Sequence, residues 1–200
     1  MRRLLLLAVA CLLLAGCVRP VSYEFSQSRQ PFCEYRGDPG TQIIVLMAQA
    51  VPSASQLPCV KLLPAGWSVS DIFVRNGRAR FALDSDRVGP DAVRVVLEPA
   101  CQVEGAGVTK VPSDEPGTRR YEQIGEVRPR VGFTGTRFYL FPGGCVSYRF
   151  EFKDSEERAG PIGDVTLALA FISRDAVRNH VRNSTDGRAE LDPPTEASSR

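Results

Sequence analysis

The sequence predicts a mainly β fold, an antiparallel β-sandwich of immunoglobulin-like type with a short C-terminal helix. About seven or eight segments have the length and apolar pattern of strands. Two pairs of these segments are joined by glycine-containing turns that are typical of hairpins, and a long polar stretch separates the two pairs. Because Trp67 precedes Cys101 and Cys145, the Cys…Trp…Cys order of immunoglobulin domains is absent, so the likeness concerns architecture alone.

The first segment, residues 1–16, has the layout of an export signal. Arg2 and Arg3 precede an uncharged apolar run at residues 4–16. As a helix this run is roughly 20 Å long. A spanning helix needs about twenty apolar residues, so we expect the run to direct export rather than to remain in a membrane.

The apolar run ends in Leu14-Ala15-Gly16-Cys17, which resembles the lipobox of bacterial lipoproteins. The resemblance covers the signal only and not the mature domain. It implies that a lipid is attached to Cys17, that the chain is cut before this residue, and that residues 17–40 are a lipidated tether. Two or more acyl chains anchor a protein lastingly, whereas one binds reversibly. The resemblance therefore implies the cell membrane as a partner and its extracytoplasmic face as the location.

The number of cysteines fits lipidation of Cys17 better than an ordinary secretory signal that leaves this residue as a spare thiol. The chain has six cysteines, and Cys11 lies within the signal. An even set then remains, which suits an oxidising compartment. Its members are Cys33, Cys59, Cys101 and Cys145. Four cysteines allow three pairings. We favour Cys33–Cys59, which would tie the tether to the domain, and Cys101–Cys145, which would join the end of one strand to a later hairpin. The chain contains no Cys-x-x-Cys redox motif, so we expect both to be structural disulfides.

The domain is predicted to span residues 41–173, and its first half contains one clear hairpin. Residues 41–50 are a continuous apolar run that suggests a buried strand, although the period alone does not distinguish it from a short helix. Residues 51–58 are predicted to be a loop. Asn76-Gly77 is the preferred centre of a two-residue type I′ turn. This register places Val74 opposite Ala79 and gives the opposite face three arginines. A further strand is predicted at residues 92–97.

The second half is predicted to contain a long exposed loop at residues 108–120, a strand within 121–131 and a second hairpin. The hairpin joins residues 136–141 to 145–152 through Pro142-Gly143-Gly144. A three-residue loop would place Leu140 opposite Val146. Tyr139 and Phe141 would then lie on the opposite face and form a possible binding patch if that face is open. Packing in the core or against a second sheet is the alternative.

The C-terminal part is predicted to contain a last strand, a short helix and a tail. Residues 165–172 are a continuous apolar run. Ser173 is placed to cap a helix at residues 174–185, with Asp175 in its first turn. Residues 186–200 are too polar to pack and are predicted to be disordered.

Composition excludes several classes of function. Of the 25 basic residues, Arg2 and Arg3 belong to the signal, which leaves 23 against 23 acidic residues. A neutral chain argues against nucleic-acid binding, which needs a net positive surface. His180 is the only histidine, so a catalytic triad or a histidine zinc site would have to use a side chain expected to be solvated. We therefore predict no catalytic residue, no metal and no cofactor.

The function that these observations favour is a non-enzymatic lipoprotein of the bacterial cell envelope. It would display a disulfide-stabilised β-sandwich that binds or scaffolds an unknown envelope protein or polymer. One alternative is an envelope hydrolase or accessory subunit acting on wall polymer or glycan, with two carboxylates about 5–9.5 Å apart. Another is a small-ligand-binding sensor domain, in which residues 108–120 cover an apolar pocket.

Overall fold

The computed structural model describes residues 23–25, 33, 39–105, 107–128, 132–153 and 159–193. The signal sequence, Cys17 and the predicted tail beyond residue 193 lie outside the described residues. Within the described residues the chain is mainly β, with ten strands and three helices. The strands are β1 Tyr23–Phe25, β2 Gln56–Val60, β3 Trp67–Arg75, β4 Arg78–Ser85, β5 Gly89–Glu98, β6 Val108–Val111, β7 Arg119–Arg128, β8 Gly132–Phe141, β9 Gly144–Phe152 and β10 Leu169–Ser173. The helices are α1 Pro39–Ala50, α2 Ala159–Ala168 and α3 Arg174–Ser184.

Eight strands form one antiparallel sheet in the order β1-β3-β4-β5-β9-β8-β7-β6, and β10 pairs with β2 in a separate two-stranded sheet. The predicted class, antiparallel and mainly β, is confirmed. Immunoglobulin domains divide their strands into an ABED sheet and a CFG sheet, and the strand order here is not that one. Two apolar runs that the sequence assigned to strands contain helices, and these helices share the second layer with the two-stranded sheet.

The hydrophobic core lies between one face of the large sheet and this second layer. Phe81, Val95 and Tyr148 are neighbours across β4, β5 and β9, and all three are buried. They belong to the same core cluster as Ile44 and Met47 of α1. Alternate residues along each strand point to opposite faces, so the other face of the sheet points away from this core.

Residues 41–50 belong to a helix, so the predicted strand is wrong. Ile43, Ile44, Met47 and Ala48 are buried, a spacing of three and four residues that matches one face of a helix. The sequence shows the apolar content, but the period of so short a run does not decide between the two structures.

Both hairpin turns are hydrogen-bonded to the chain at the end of α1 or just after it. Gly77 N in the first turn donates to the Ala50 carbonyl, and Ser55 N donates to the Pro142 carbonyl of the second turn.

The first hairpin has the predicted strand pairs next to its turn, but the predicted type I′ turn is wrong, because Gly77 has a positive φ of 78° and Asn76 is not among the residues with a positive φ. Val74 is paired with Ala79, and Arg75 with Arg78. The register shifts between Ser70 and Phe73, where Asp71 has a positive φ of 46°. A residue inserted in this way is a β-bulge, which the alternation of apolar residues does not reveal.

The second hairpin has a different register from the predicted one. Phe141 is paired with Gly144 and Tyr139 with Val146, so the loop contains two residues instead of three. Gly143 has φ of 73°, and a Cβ there would overlap the Ser53 carbonyl. A one-residue slip moves every side chain to the other face. Tyr139 and Phe141 therefore point into the core, and Phe138 and Leu140 point away from it.

Four other segments differ from their predictions. The predicted loop contains β6, and the predicted tether contains β1, which pairs with β3. The apolar run at residues 165–172 is divided between α2 and β10. Part of the predicted tail packs on α1, because Leu191 is buried and Asp192 N donates to Gln49 Oε1 at 3.2 Å. The predicted cap of α3 is present, with Ser173 Oγ accepting from Ala176 N at 3.2 Å.

Candidate functional site

The four described cysteines are joined in the two pairs that the sequence favoured. Cys33 is bonded to Cys59 and Cys101 to Cys145, with Cα–Cα distances of 5.0 and 5.9 Å. The first pair holds the N-terminal segment against β2, where Cys33 N also donates to the Val60 carbonyl. The second pair fixes the segment after β5 to the start of β9. All described cysteines are therefore disulfide-bonded, and Cys17 lies outside the described residues.

Tyr139 and Phe141 do not form a surface patch. They are 2% and 7% exposed, and both pack edge-on against Phe171 of β10, with ring centroids 5.2 and 5.9 Å apart. Tyr139 also lies 5.2 Å from the Tyr148 ring. The possible binding patch is therefore wrong, and the alternative of core packing is correct for both residues.

The Tyr139 hydroxyl begins a polar network that fixes the loop between β6 and β7. It donates to Asp114 Oδ1 at 2.9 Å, which Arg120 Nη1 also contacts at 2.9 Å. Arg120 Nη2 reaches Glu122 Oε1 at 3.0 Å, and Arg137 Nε reaches the same oxygen at 2.8 Å. The two carboxylates that the fold brings together here are thus bound to arginines, which supports a structural role for them.

The pKa shifts in this network follow from burial and pairing. Burial alone would raise the pKa of Asp114, but the hydrogen bonds from Arg120 and Tyr139 outweigh it and hold that pKa below its ordinary value. Burial and the charge of Asp114 raise the pKa of Glu115. Burial is also the main reason why the pKa of the Tyr139 hydroxyl is well above its ordinary value. Asp114 therefore remains a carboxylate that accepts hydrogen bonds.

A groove lies on the other side of the sheet, which we call the open face. This is the face that points away from the core, and it includes the alternate residues of β9 that contain Cys145 and Arg149. A groove of about 460 Å³ lies on this face across four strands. Its lining consists of Asp91, Arg94, Gln123, Ile124, Gly125, Thr134, Gly135, Thr136, Arg149, Phe150 and Glu151.

A polar row crosses the groove at right angles to the strands. Arg94 of β5 is paired with Arg149 of β9, Arg149 with Thr136 of β8, and Thr136 with Gln123 of β7. Neighbouring strands lie about 4.8 Å apart, so the row is roughly 14 Å long. We call these four residues the polar row.

The two arginines of the polar row are not fully neutralised by the described residues. Arg94 Nη2 contacts Asp91 Oδ2 at 3.3 Å, whereas its Nε is buried without a hydrogen-bond partner among the described atoms. Arg149 is exposed, and the ion pairs found among the described residues include neither Arg149 nor Glu151. Like charges directly opposite each other on paired strands are destabilising.

Glycines and a bulge make room for the groove. The register between β7 and β8 shifts between Ile124 and Val127, and a Cβ on Gly125 would lie 2.8 Å from the Thr134 carbonyl oxygen. Gly135 separates the groove from a smaller cavity of about 150 Å³ on the core side, which Phe133 and other residues line. The sheet is therefore thin at this point, with a cavity on each side.

The other candidates from the sequence do not lie at this groove. His180 is half-buried on α3. Asp84 accepts hydrogen bonds from the Ser70 hydroxyl and from Asp91 N. The described part of the chain contains no cluster of three or more His, Cys, Asp or Glu residues that could hold a metal ion. Neither cavity is lined by a residue from 108–120, which lowers the support for that segment as a pocket lid.

The polar row was not predicted, although part of its signal was present. Arg94 stands alone within the apolar segment Ala-Val-Arg-Val-Val-Leu, and Arg149 falls on the polar side of β9. Their adjacency depends on the pairing of β5 with β9, which are separated by some fifty residues of chain. No local pattern predicts that pairing.

No helix in the described part of the chain is both long enough and apolar enough to cross a membrane. No protein-family model, no curated protein and no solved structure matches this chain.

Proposed function

We propose that this protein is a lipoprotein of the bacterial cell envelope, held at the extracytoplasmic face of the cell membrane by a lipid on Cys17. Its β domain would act without catalysis, by binding or scaffolding another envelope component. The observation that best supports the proposal is the use of the cysteines. Two disulfides take up Cys33, Cys59, Cys101 and Cys145, so Cys17 is the one cysteine downstream of the signal that they leave over.

The groove on the open face supports the binding part of the proposal. Its volume of about 460 Å³ lies within the range of about 300–1,000 Å³ that is typical of ligand sites. Side chains from β5, β7, β8 and β9 surround it, so the site is built on paired strands and not on a single loop. A site on such elements holds its side chains more rigidly than one on loops.

Membrane fractionation tests the anchor. The chain with its signal and a Cys17→Ser variant are expressed in a bacterial host, and the membranes are washed with high salt and then extracted with detergent. We expect the unmodified sequence to remain with the membranes until detergent is added, since two or more acyl chains give lasting attachment. We expect Cys17→Ser to lose the lipid-dependent fraction. Release of both proteins by salt alone would contradict the anchor.

Capture and turnover assays test the binding role. The purified domain is incubated with isolated wall polymer and with envelope extract, and both the retained material and any soluble fragments are measured. The proposal predicts retention of a specific component without release of fragments. Release of fragments that depends on the folded domain would favour the hydrolase alternative instead.

A further inference from the structure

The polar row offers hydrogen-bond donors to a ligand in the groove. Arg94 and Arg149 lie side by side on paired strands, and Thr136 continues the row on β8. Guanidinium groups carry five N–H donors in a fixed fork, and a hydroxyl can donate to the same acceptor. These three residues therefore present donors along a line of about 10 Å on a surface of paired strands.

An anion between the two arginines would remove two unfavourable features at once. It would screen the repulsion between like charges that are directly opposite. Arg94 Nε is buried without a hydrogen-bond partner among the described atoms, so an anion that reaches it would relieve the cost of a buried donor without an acceptor. Arg149 has its whole fork available, since the ion pairs among the described residues leave it out.

We propose that the polar row binds a singly charged oxyanion, a carboxylate or a phosphodiester, which belongs to a polar ligand lying in the groove. Two carboxylates define the charge of this group. Asp91 already occupies Arg94 Nη2 at 3.3 Å, and Glu151 lines the same groove. Both repel a doubly charged anion about twice as strongly as a singly charged one. A group with one negative charge and two acceptor oxygens matches one guanidinium fork. It also leaves the contact between Asp91 and Arg94 in place.

This inference deepens the binding part of the proposed function and does not depend on the lipid. Carboxylates and phosphodiesters occur in different envelope polymers, so the identity of the bound group distinguishes between two sources of ligand. Failure of the anchor experiment would leave anion binding intact, and failure of anion binding would leave the anchor intact.

The test uses the mature chain with Cys17→Ser, which is free of lipid. Amide NMR spectra are recorded while D-glucuronate, dimethyl phosphate or the neutral sugar methyl glucoside is added. We expect saturable shifts of the amides of the polar row with at least one of the two anions and none with methyl glucoside. Saturation with D-glucuronate alone identifies the carboxylate, and saturation with dimethyl phosphate alone identifies the phosphodiester. Absence of saturable shifts with both anions overturns the proposal.

Substitutions locate the site. Arg149→Ala is expected to weaken binding about tenfold or more, since a hydrogen bond to a charged group is lost. Arg149→Lys keeps the charge without the fork and is expected to be intermediate. Arg75→Ala is the matched control, because Arg75 is exposed on the same face and outside the groove. Arg149 is exposed as well, and its removal relieves the repulsion from Arg94, so its variants should melt no lower than the parent. An equal loss of binding in Arg75→Ala and Arg149→Ala would show non-specific attraction and overturn the proposal.

Discussion

Removal of the Cys101–Cys145 disulfide is expected to lower the free energy of unfolding by about 4 kcal/mol. The two cysteines are 44 residues apart, and the chain-entropy model assigns about 4 kcal/mol at 25 °C to closure of such a loop in the unfolded state. The separation of 26 residues between Cys33 and Cys59 gives about 3.5 kcal/mol in the same model. Cys145 is 1% exposed, so alanine is the substitution that leaves no buried hydroxyl.

Urea unfolding of the two double alanine variants measures these values. Each variant is compared with the parent protein, and reduction of the parent by a thiol should approach the sum of the two losses. The m-value should rise in each variant, because the unfolded chain without its cross-link exposes more surface. A loss below about 1 kcal/mol with an unchanged m-value for Cys101→Ala/Cys145→Ala would refute the reasoning, since a closed loop must cost more than that.

Three further predictions concern particular contacts. Gly143→Ala should destabilise the protein by more than Gly187→Ala, because both glycines have a positive φ but only Gly143 has backbone in the place of a Cβ; equal melting temperatures would contradict this. Tyr139→Phe should cost about 1 kcal/mol, measured by urea unfolding, since it removes the hydrogen bond to Asp114. The pKa of Asp114 is lowered from 3.8, so its contribution is present above that pH and is lost as the pH falls through the lower value in the folded protein. The stability difference between the parent and Asp114→Asn should therefore shrink below about pH 4 and be unchanged between pH 6 and 8.

The two hairpins show what local sequence can decide. Asn76-Gly77 favours a two-residue turn, and the pairs next to that turn were predicted correctly. The turn type was not, since of these two residues only Gly77 has a positive φ. Pro142-Gly143-Gly144 is compatible with loops of two or three residues. The choice depends on contacts of the turn with residues 53–55, such as the bond from Ser55 N to the Pro142 carbonyl. Such contacts are distant in sequence, so a one-residue error followed and Tyr139 was assigned to the wrong face.

The helix α1 shows the limit of apolar patterns. Residues 41–50 were recognised as buried, but a continuous apolar run is compatible with either a strand or a helix. Tertiary packing against β3 and β4 decides in favour of the helix. The polar row depends even more on tertiary structure, since Arg94 and Arg149 become neighbours only when β5 and β9 pair.

The cysteines were predicted more fully than the groove. The even number of cysteines indicated two disulfides, and the segments that each would connect favoured the two pairs that the structure joins. The groove arises from a bulge and from two glycines, Gly125 and Gly135, whose effect depends on which strands flank them. The sequence shows where those glycines are, but it does not show which strands lie beside them in the folded protein.

The intact mass of the protein purified from host membranes tests the central proposal most directly. It is measured before and after reduction, beside a Cys17→Ser variant. We expect a chain that begins at Cys17, carries a lipid adduct that is lost in the variant, and gains four hydrogens when its two disulfides are reduced. An unmodified chain cut at another position would contradict it, because Cys17 would then be a free thiol in an exported protein.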